Sequence, residues 1–414
     1  MSELKGACLI AQSGGPTSVI NASLYGALTA ALEDGRITRV LGAAHGVKGI
    51  LDDVLWDLGK EDRAELDLLP NTPSSILGSC RYKLADPAKD DKDYRRILEI
   101  FKKYDVRYFF YIGGNDSMDT CDKVSRFMEK SGWDCRVMGI PKTIDNDLNG
   151  TDHCPGFASA AKYIATTCME ISRDAGVYDY PTATVAEIMG RHAGWLAGSA
   201  ALAAMLGEGP DLIYLPELPF DLQAFYKKAG EVLERKGNLF VAVSEGIRDK
   251  NGVFISEYAS RGAEGKDAFG HVQLGGLAAW LAGEIKQTFG VKSRGIELSL
   301  MQRCGAHLAS RRDIDEAIEA GKRAVWAALE GESGKMAAYT RETVNGEVKT
   351  GFTFVPLTEA ANVEKKVPLE WILPDGAGVT QEFADYVLPL IQGDCGRAVE
   401  NGLPRFAKLK LVRA

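Results

Sequence analysis

The sequence predicts an α/β protein with two Rossmann-like lobes, each a mostly parallel sheet lying between two layers of helices. Short apolar runs recur along the chain and alternate with helical patterns. Each run ends in a polar turn, and most of these turns contain glycine. Nearly continuous apolar strands alternating with helices are typical of a parallel sheet covered on both faces. A length of 414 residues is about right for two domains.

Polar residues follow each of the five predicted strands. The predicted strands are Ala7–Gln12, Arg107–Ile112, Cys135–Ile140, Ala183–Ile188 and Asn238–Ser244. In parallel sheets, ligands bind at the carboxyl ends of the strands, where glycine turns and helix N-termini gather. A single glycine turn is explained by tight chain reversal alone, but five turns that also carry charged residues favour a binding site.

Composition narrows the functional class. Hydrophobic residues make up 45% and charged residues 26%, and the net charge of −8 gives no support to nucleic-acid binding. The eight cysteines form no CxxC pair and are interpreted as reduced thiols of a cytoplasmic protein. No apolar run approaches the ~20 residues of a membrane span, and the N-terminus lacks a signal-peptide pattern, so no membrane partner is expected.

The turn after the first strand contains Gly14 and Gly15, which lack a Cβ and so let backbone N–H groups approach phosphate oxygens. The spacing GxxxxGK[ST] of a P-loop is absent. The fingerprint GxGxxG is also absent after the first strand, which disfavours a nicotinamide-dependent oxidoreductase. The glycine turn therefore predicts a phosphate site that is neither a P-loop nor a dinucleotide fingerprint.

The turn after the third strand carries two closely spaced carboxylates, Asp145 and Asp147, next to Lys142. Such a group suits a general base beside a metal or a phosphate. Asp and Asn residues also cap helices and turns, and the spacing alone leaves both interpretations open.

Five motifs together resemble one family. Pro141–Asp147 (PKTIDND), Met189–Arg191 (MGR), Gly113–Ser117 (GGNDS), Glu245–Gly246 and Gln302–Arg303 occur in the order found in diphosphate-dependent 6-phosphofructokinases. MGR or EG alone is a weak signal, whereas PKTIDND is strong and the ordered set is specific. The resemblance extends from about residue 8 to residue 330.

The resemblance implies a phosphofructokinase-like fold and a reversible phosphoryl transfer from inorganic diphosphate to the C1 hydroxyl of fructose 6-phosphate. It implies Mg²⁺ as cofactor and a homodimer or homotetramer. Asp145 would be the base, with Lys142 and Asp116 also catalytic, and Asn115 would be the metal ligand. The implied diphosphate-binding residues are Gly14, Gly15 and Arg81. The implied fructose 6-phosphate residues are Thr143, Ile144, Asp145, Met189, Gly190, Arg191, Glu245, Arg303 and, across a subunit interface, Arg294.

Two positions bear on the choice of donor. ATP-using relatives tend to have glycine where this chain has Asp116 and Lys142. In a semi-buried site, the Asp116 carboxylate would repel a nucleotide α-phosphate, and Lys142 would supply a cation at the transferring group. Asp116 also suits a helix N-terminus without any such role. An ATP-dependent 6-phosphofructokinase and a non-catalytic sugar-phosphate sensor are the rival functions.

Departures from the family pattern fall in the donor region. Ser18 and Val19 replace the proline and glycine of the first loop, so that loop must take a different path. Asn115 replaces the aspartate usually credited with holding magnesium. The expected domains are a donor lobe of residues 1–150 with part of 300–345, a fructose 6-phosphate lobe of residues 151–299, and a C-terminal extension of residues 346–414 with no assigned role.

Overall fold

The computed structural model describes residues 4–259, 276–361 and 363–414, which form thirteen strands and fifteen α-helices. The strands are β1 (Gly6–Gln12), β2 (Ile37–Ala43), β3 (Leu55–Asp57), β4 (Val106–Gly113), β5 (Arg136–Pro141), β6 (Thr182–Ile188), β7 (Leu212–Tyr214), β8 (Asn238–Ser244), β9 (Lys292–Glu297), β10 (Lys335–Val344), β11 (Glu347–Pro356), β12 (Val399–Glu400) and β13 (Leu403–Pro404).

The helices alternate with the strands through most of the chain. They are α1 (Ile20–Glu33), α2 (Val47–Leu51), α3 (Arg63–Leu66), α4 (Lys92–Lys103), α5 (Asn115–Lys130), α6 (Phe157–Ala175), α7 (Trp195–Ser199), α8 (Ala201–Met205), α9 (Leu222–Lys236), α10 (Ser256–Ala259), α11 (Leu277–Phe289), α12 (Met301–Cys304), α13 (Arg311–Leu329), α14 (Leu357–Ala360) and α15 (Gln381–Val387). Short 3₁₀ turns lie at Leu58–Lys60, Leu69–Asn71, Ala306–Leu308, Leu369–Trp371 and Leu388–Ile391.

Two sheets organise the molecule. The first has the order β11-β10-β5-β4-β1-β2-β3 and is parallel except at its two edges, where β2–β3 and β10–β11 pair antiparallel. The second has the order β7-β8-β6-β9 and is parallel throughout. Strands β1 and β6 are buried along their whole length, as expected for a sheet with helices on both faces. The predicted two-lobed α/β fold is confirmed.

Helices α1 and α13 meet at two glycines. A Cβ on Gly26 would lie 1.9 Å from the carbonyl oxygen of Ile318, and a Cβ on Gly321 would lie 2.2 Å from that of Ser23. Because both positions leave no space for a methyl group, the two helix backbones are in direct contact. Helix α13 is thereby packed tightly onto the first lobe.

The first turn of α13 also contacts α6. The buried carboxylate of Asp313 accepts hydrogen bonds from the backbone N–H groups of Gly156 and Ser159, at 3.0 and 2.9 Å, and from the Ser159 hydroxyl at 2.6 Å. These groups belong to the N-terminus of α6, where backbone donors have no partner within the helix. Helix α13 therefore joins both lobes.

A buried ionic cluster lies behind the turn that follows β5. The imidazole of His153, 1% exposed, has Nδ1 2.8 Å from Asp152 Oδ1 and Nε2 2.8 Å from Glu316 Oε2. Burial alone would lower the pKa of His153, but hydrogen bonds and charge from the two carboxylates outweigh it and raise the pKa. Burial alone would raise the pKa of Asp152, but hydrogen bonds and charge from His153 and Arg341 outweigh it and lower the pKa to about 2.

Replacing His153 with glutamine should destabilise the protein by an amount that depends on pH. The raised pKa of His153 means that its stabilisation is complete below the unfolded-state value of 6.5 and is lost as pH rises through the folded-state value. Breaking a buried ion pair costs about 3–5 kcal/mol, so the loss should be of that order near pH 6 and smaller at pH 9. The loss of stability would be measured from thermal unfolding midpoints at both pH values. A His45→Gln variant, in which an exposed histidine is replaced, is the control. A penalty that grows with pH would contradict the assignment of a charged imidazole.

Two further properties bear on the sequence predictions. All eight cysteines are free, and six of them are buried. Among the helices in the described ranges, none is both long enough and apolar enough to cross a membrane.

Candidate active site

The turns that follow β1, β4, β5, β6 and β8 converge on one cleft between the two sheets. The clearest evidence is the environment of Asp145: the charges of Glu245, Lys142, Arg191 and Arg303 all act on its carboxyl group. These residues come from three strand ends and from α12. The sequence prediction that polar residues gather at the carboxyl edges of the strands is realised here.

Lys142 lies at the centre of the donor side of the cleft. Its side chain is buried, and Nζ donates a hydrogen bond to the carbonyl oxygen of Gly15 at 2.6 Å. A Cβ on Gly14, whose φ is +78°, would lie 3.0 Å from Nζ, so a larger residue would crowd the ammonium group. Burial lowers the pKa of Lys142 to about 8, although the nearby carboxylates of Asp145 and Asp147 oppose the shift.

Two arginines join Lys142 beside the first loop. A Cβ on Gly15 would lie 3.2 Å from Nη1 of Arg303. Arg81 follows Ser79, whose hydroxyl donates to the carbonyl oxygen of Gly14 at 2.6 Å. Burial lowers the pKa of Arg303, and the charge of Arg81 lowers it further, so the two guanidinium groups are close. Lys142 and Arg303 therefore lie against the glycines and Arg81 lies near Arg303, an arrangement suited to binding a polyphosphate.

Thr143 and Ile144 precede Asp145 and contribute contacts that hold its turn. The Thr143 hydroxyl accepts a hydrogen bond from the backbone N–H of Asp145 at 3.1 Å, and Ile144 is buried in the core of the second lobe. Burial and the neighbouring Glu245 raise the pKa of Asp145, while the three nearby cations oppose the shift. A carboxylate with a raised pKa is a stronger base than an ordinary aspartate.

The second lobe supplies the turns after β6 and β8. The carboxylate of Glu245 accepts a hydrogen bond from the backbone N–H of Gly190 at 3.4 Å. The side-chain oxygen of Gln302, which is buried, accepts one from Met189 N–H at 3.2 Å. A Cβ on Gly246 would lie 2.1 Å from the carbonyl oxygen of Arg191. These contacts fix Arg191 and Glu245 opposite Asp145.

Asp147 has no separate role in the sequence prediction, but it pairs with Asn115. In the structure its Oδ2 accepts a hydrogen bond from Asn115 Nδ2 at 3.1 Å. Within the described residues, the buried Oδ1 of Asn115 has no hydrogen-bond partner. Burial and the charge of Asp145 raise the pKa of Asp147. A free buried acceptor beside a carboxylate suits an oxygen-liganded cation.

Asp116 is more exposed than the semi-buried position expected from the sequence. It lies in the first turn of α5, its side chain is 55% exposed, and Oδ1 is 3.4 Å from Nζ of Lys83. This setting matches the alternative interpretation, in which Asp116 favours the helix N-terminus. Lys83, which the sequence analysis did not single out, adds a further cation at the donor edge.

Arg294 does not join the cleft. It lies on the exposed edge strand β9, opposite Thr184 of β6, four residues and so about 13 Å before the carboxyl end of β6. Its Nη1 is 3.6 Å from Asp174 Oδ2, and the arginine side chain is 43% exposed. The remaining predicted residues lie at the cleft or, in the case of Asp116, at its donor edge.

The chain was compared with known families and structures. The family model "Phosphofructokinase" matches residues 7–328. The chain belongs to the phosphofructokinase family. The predicted family is therefore confirmed.

Relatives within the family match nearly the whole chain. A protein of Halomonas elongata named pyrophosphate–fructose 6-phosphate 1-phosphotransferase is 44% identical over 404 residues, covering 96% of this chain and 95% of the relative. A protein of the same name from Xanthomonas campestris pv. campestris is 43% identical, covering 98% and 97%. The crystal structure of a pyrophosphate-dependent phosphofructokinase from Nitrosospira multiformis superposes with a TM-score of 0.89 at 36% identity, covering 99% and 98%.

Proposed function

We propose that the protein transfers a phosphoryl group reversibly between inorganic diphosphate and the C1 hydroxyl of fructose 6-phosphate. The observation that carries this proposal is the position of Lys142, whose ammonium group is held against Gly15 and acts electrostatically on Asp145. A cation for the transferring phosphoryl group and a base for the sugar hydroxyl therefore share one turn. The printed names of the relatives support the same donor and acceptor.

In the forward direction, the oxygen of the C1 hydroxyl attacks the terminal phosphorus of diphosphate. Asp145 accepts the proton that this hydroxyl loses. The P–O–P bond breaks, inorganic phosphate leaves, and fructose 1,6-bisphosphate forms. Lys142, Arg81 and Arg303 neutralise charge on the transferring and leaving groups, which is the main catalytic task in phosphoryl transfer. Arg191 and Glu245 hold the sugar phosphate in the second lobe, with the guanidinium suited to a phosphate group.

Asn115 and Asp147 fit a divalent cation, for which we propose Mg²⁺. The free Oδ1 of Asn115 and the adjacent carboxylate of Asp147 are hard oxygen ligands, and the remaining ligands of Mg²⁺ are commonly water and phosphate oxygens. When bound, the cation would shield the charge of diphosphate. The amide in place of a second carboxylate makes this pair a weak site in the absence of diphosphate.

Replacing Asp147 with asparagine should weaken binding of the cation at least about tenfold, because it removes the charged ligand. Titration with Mn²⁺ followed by electron paramagnetic resonance, in the presence of diphosphate, would measure the binding constant directly. Asp119→Asn on α5, whose carboxylate pairs with Lys123 at 2.6 Å, is the matched control. Equal Mn²⁺ affinity in both variants would remove Asp147 from the metal site.

We also propose that the protein assembles as a homodimer or homotetramer in which Arg294 reaches a partner's sugar phosphate. Its exposure on an edge strand and its distance from the cleft of its own chain support this arrangement. We expect an Arg294→Ala variant to keep the size of its assembly in sedimentation. Its affinity for fructose 6-phosphate should fall. Unchanged affinity would contradict it.

A coupled assay with fructose 6-phosphate and either diphosphate or ATP tests the main proposal. Turnover with diphosphate and little or none with ATP is the expected result. The reverse pattern would favour the rival ATP-dependent enzyme, and no turnover with either donor would favour the sugar-phosphate sensor.

A further inference from the structure

Residues 363–367, here called the bridging segment, lie beyond the family match that ends at residue 328, and they contact the turn that carries Asp145. We use the name catalytic loop for residues 142–156. The backbone N–H of Lys365 donates to the carbonyl oxygen of Asp147 at 2.8 Å. Glu364 forms an antiparallel bridge with Leu148. The bridging segment therefore lies antiparallel beside this part of the catalytic loop.

The opposite side of the bridging segment is bonded to the second lobe. Trp195 Nε1 donates to the carbonyl oxygen of Lys365 at 2.9 Å. Val367 N–H donates to Glu217 Oε1 at 3.1 Å, and the same oxygen accepts from Gly194 N–H at 2.8 Å. Gly194 and Trp195 lie a few residues after the Met189–Arg191 turn. The bridging segment thus connects the loop that holds the base to the turn that holds the sugar phosphate.

The side chain of Lys365 reaches the far end of the catalytic loop. Its Nζ donates to the carbonyl oxygens of Thr151 and Asp152, the first at 3.2 Å. The ammonium group also lies 5.2 Å from the centre of the Trp195 ring and 6.0 Å from that of Tyr386. Through its backbone and side chain, one lysine therefore binds the loop at three points.

Tyr386 of α15 shares one of these points, the Asp152 carbonyl, and adds another at Asn146. Its hydroxyl donates to the carbonyl oxygen of Asp152 at 2.6 Å and accepts from Asn146 Nδ2 at 2.9 Å. Asn146 lies between the two carboxylates of the turn, is fully buried, and has a φ of +55°. Asparagine tolerates this left-handed conformation better than most other non-glycine residues. Asn146 Oδ1 also accepts from Cys154 N–H at 2.9 Å, so both ends of the side chain are engaged.

We propose that Lys365 and Tyr386 are positioning residues of the active site, which hold the turn of Asp145 and Asp147 in its reactive conformation. The proposal rests on the proposed function and gives the C-terminal region a catalytic purpose. Among the contacts in the described part of the chain, neither side chain is hydrogen-bonded to Asp145 or Lys142; each acts through Asn146 or through the main chain of the loop. In phosphoryl transfer, where alignment of the acceptor hydroxyl with the base matters, such support should affect turnover more than substrate binding.

The test uses two variants and two matched controls in the full chain. Tyr386→Phe removes only a hydroxyl, and Lys365→Met removes only the ammonium group. Tyr108→Phe removes a buried hydroxyl that donates to the Leu4 carbonyl at 2.6 Å, and Lys162→Met removes an ammonium that donates to the Gly393 carbonyl at 2.6 Å. Neither control residue bonds to the catalytic loop, so the controls report the general effect of losing such a bond.

The expected result is a split between the two kinetic constants. We expect kcat to fall about tenfold in Tyr386→Phe and about a hundredfold in Lys365→Met, since small misplacements have effects of that size, while KM for fructose 6-phosphate stays within about twofold. Backbone amides of residues 142–156 should exchange with deuterium faster than in the wild-type protein. Both controls should keep wild-type kcat and loop exchange.

Three outcomes would overturn the proposal: wild-type kcat in Tyr386→Phe, an equal fall in the matched controls, or unchanged amide exchange in the catalytic loop. If Lys365→Met does not fold, Tyr386→Phe decides alone. The hydrogen-exchange comparison needs no phosphoryl donor. A wild-type protein that fails to use diphosphate would therefore overturn the proposed function without deciding the positioning role.

Discussion

Replacing Asp145 with asparagine should lower kcat by about a thousandfold, near the middle of the range attributed to general bases. Asparagine has nearly the same shape but takes no proton from the sugar hydroxyl. The carboxylate it replaces lies among Lys142, Arg191 and Arg303, which keep it ionised against the burial that raises its pKa. Because the arginines remain in place, affinity for fructose 6-phosphate measured by calorimetry should change by less than about threefold.

Asp119→Asn, in the middle of α5, is the control for a neutralised carboxylate away from the cleft. Its kcat should equal that of the wild-type protein. If Asp145→Asn kept more than a tenth of the wild-type rate, Asp145 would not be the base, and Asp147 would be the next candidate to examine.

Replacing Lys142 with glycine should lower kcat with diphosphate by about a hundred- to a thousandfold, the effect of losing one preorganised donor to a developing charge. The Lys142 side chain is buried and its ammonium group is held against the Gly15 carbonyl, so glycine at position 142 removes the charge from that place. Replacing Asp116 with glycine as well should admit some ATP. Since the Asp116 side chain is 55% exposed and 3.4 Å from Lys83, solvent screens its repulsion, and the gain in ATP use should be at most about tenfold.

The matched control for this double change is Asp119→Gly with Lys123→Gly, which removes a neighbouring ion pair of α5. The ratio of kcat/KM values for the two donors should not move in the control. If the variant with both replacements, at positions 116 and 142, still does not use ATP, another feature selects the donor. The first loop with Ser18 and Val19 would be one such feature.

Local patterns predicted five of the strands and the turns that follow them. Asn238–Ser244 was predicted with the bounds that the structure shows, and Ala7–Gln12 differs from β1 by one residue. Apolar runs locate such strands because burial on both faces leaves no room for polar side chains. The convergence of Gly14, Lys142 and Arg191 then follows from the rule that parallel strands share a carboxyl edge.

Contacts between distant parts of the chain escaped prediction, because they leave no periodic signal. Lys365 lies more than 200 residues from the Thr151 and Asp152 carbonyls that it binds. The pairing of Asn115 with Asp147 depends on the relative heights of two neighbouring turns, which hydrophobic spacing does not report. The exposure of Asp116 similarly depends on where α5 begins relative to the cleft.

The double attachment of α13 has a consequence for how the protein works. This helix touches α1 backbone to backbone at Gly26 and Gly321 and binds the start of α6 through Asp313. A wide hinge opening would have to break one of those attachments. The distance between the two lobes is therefore expected to change little when diphosphate and sugar phosphate bind.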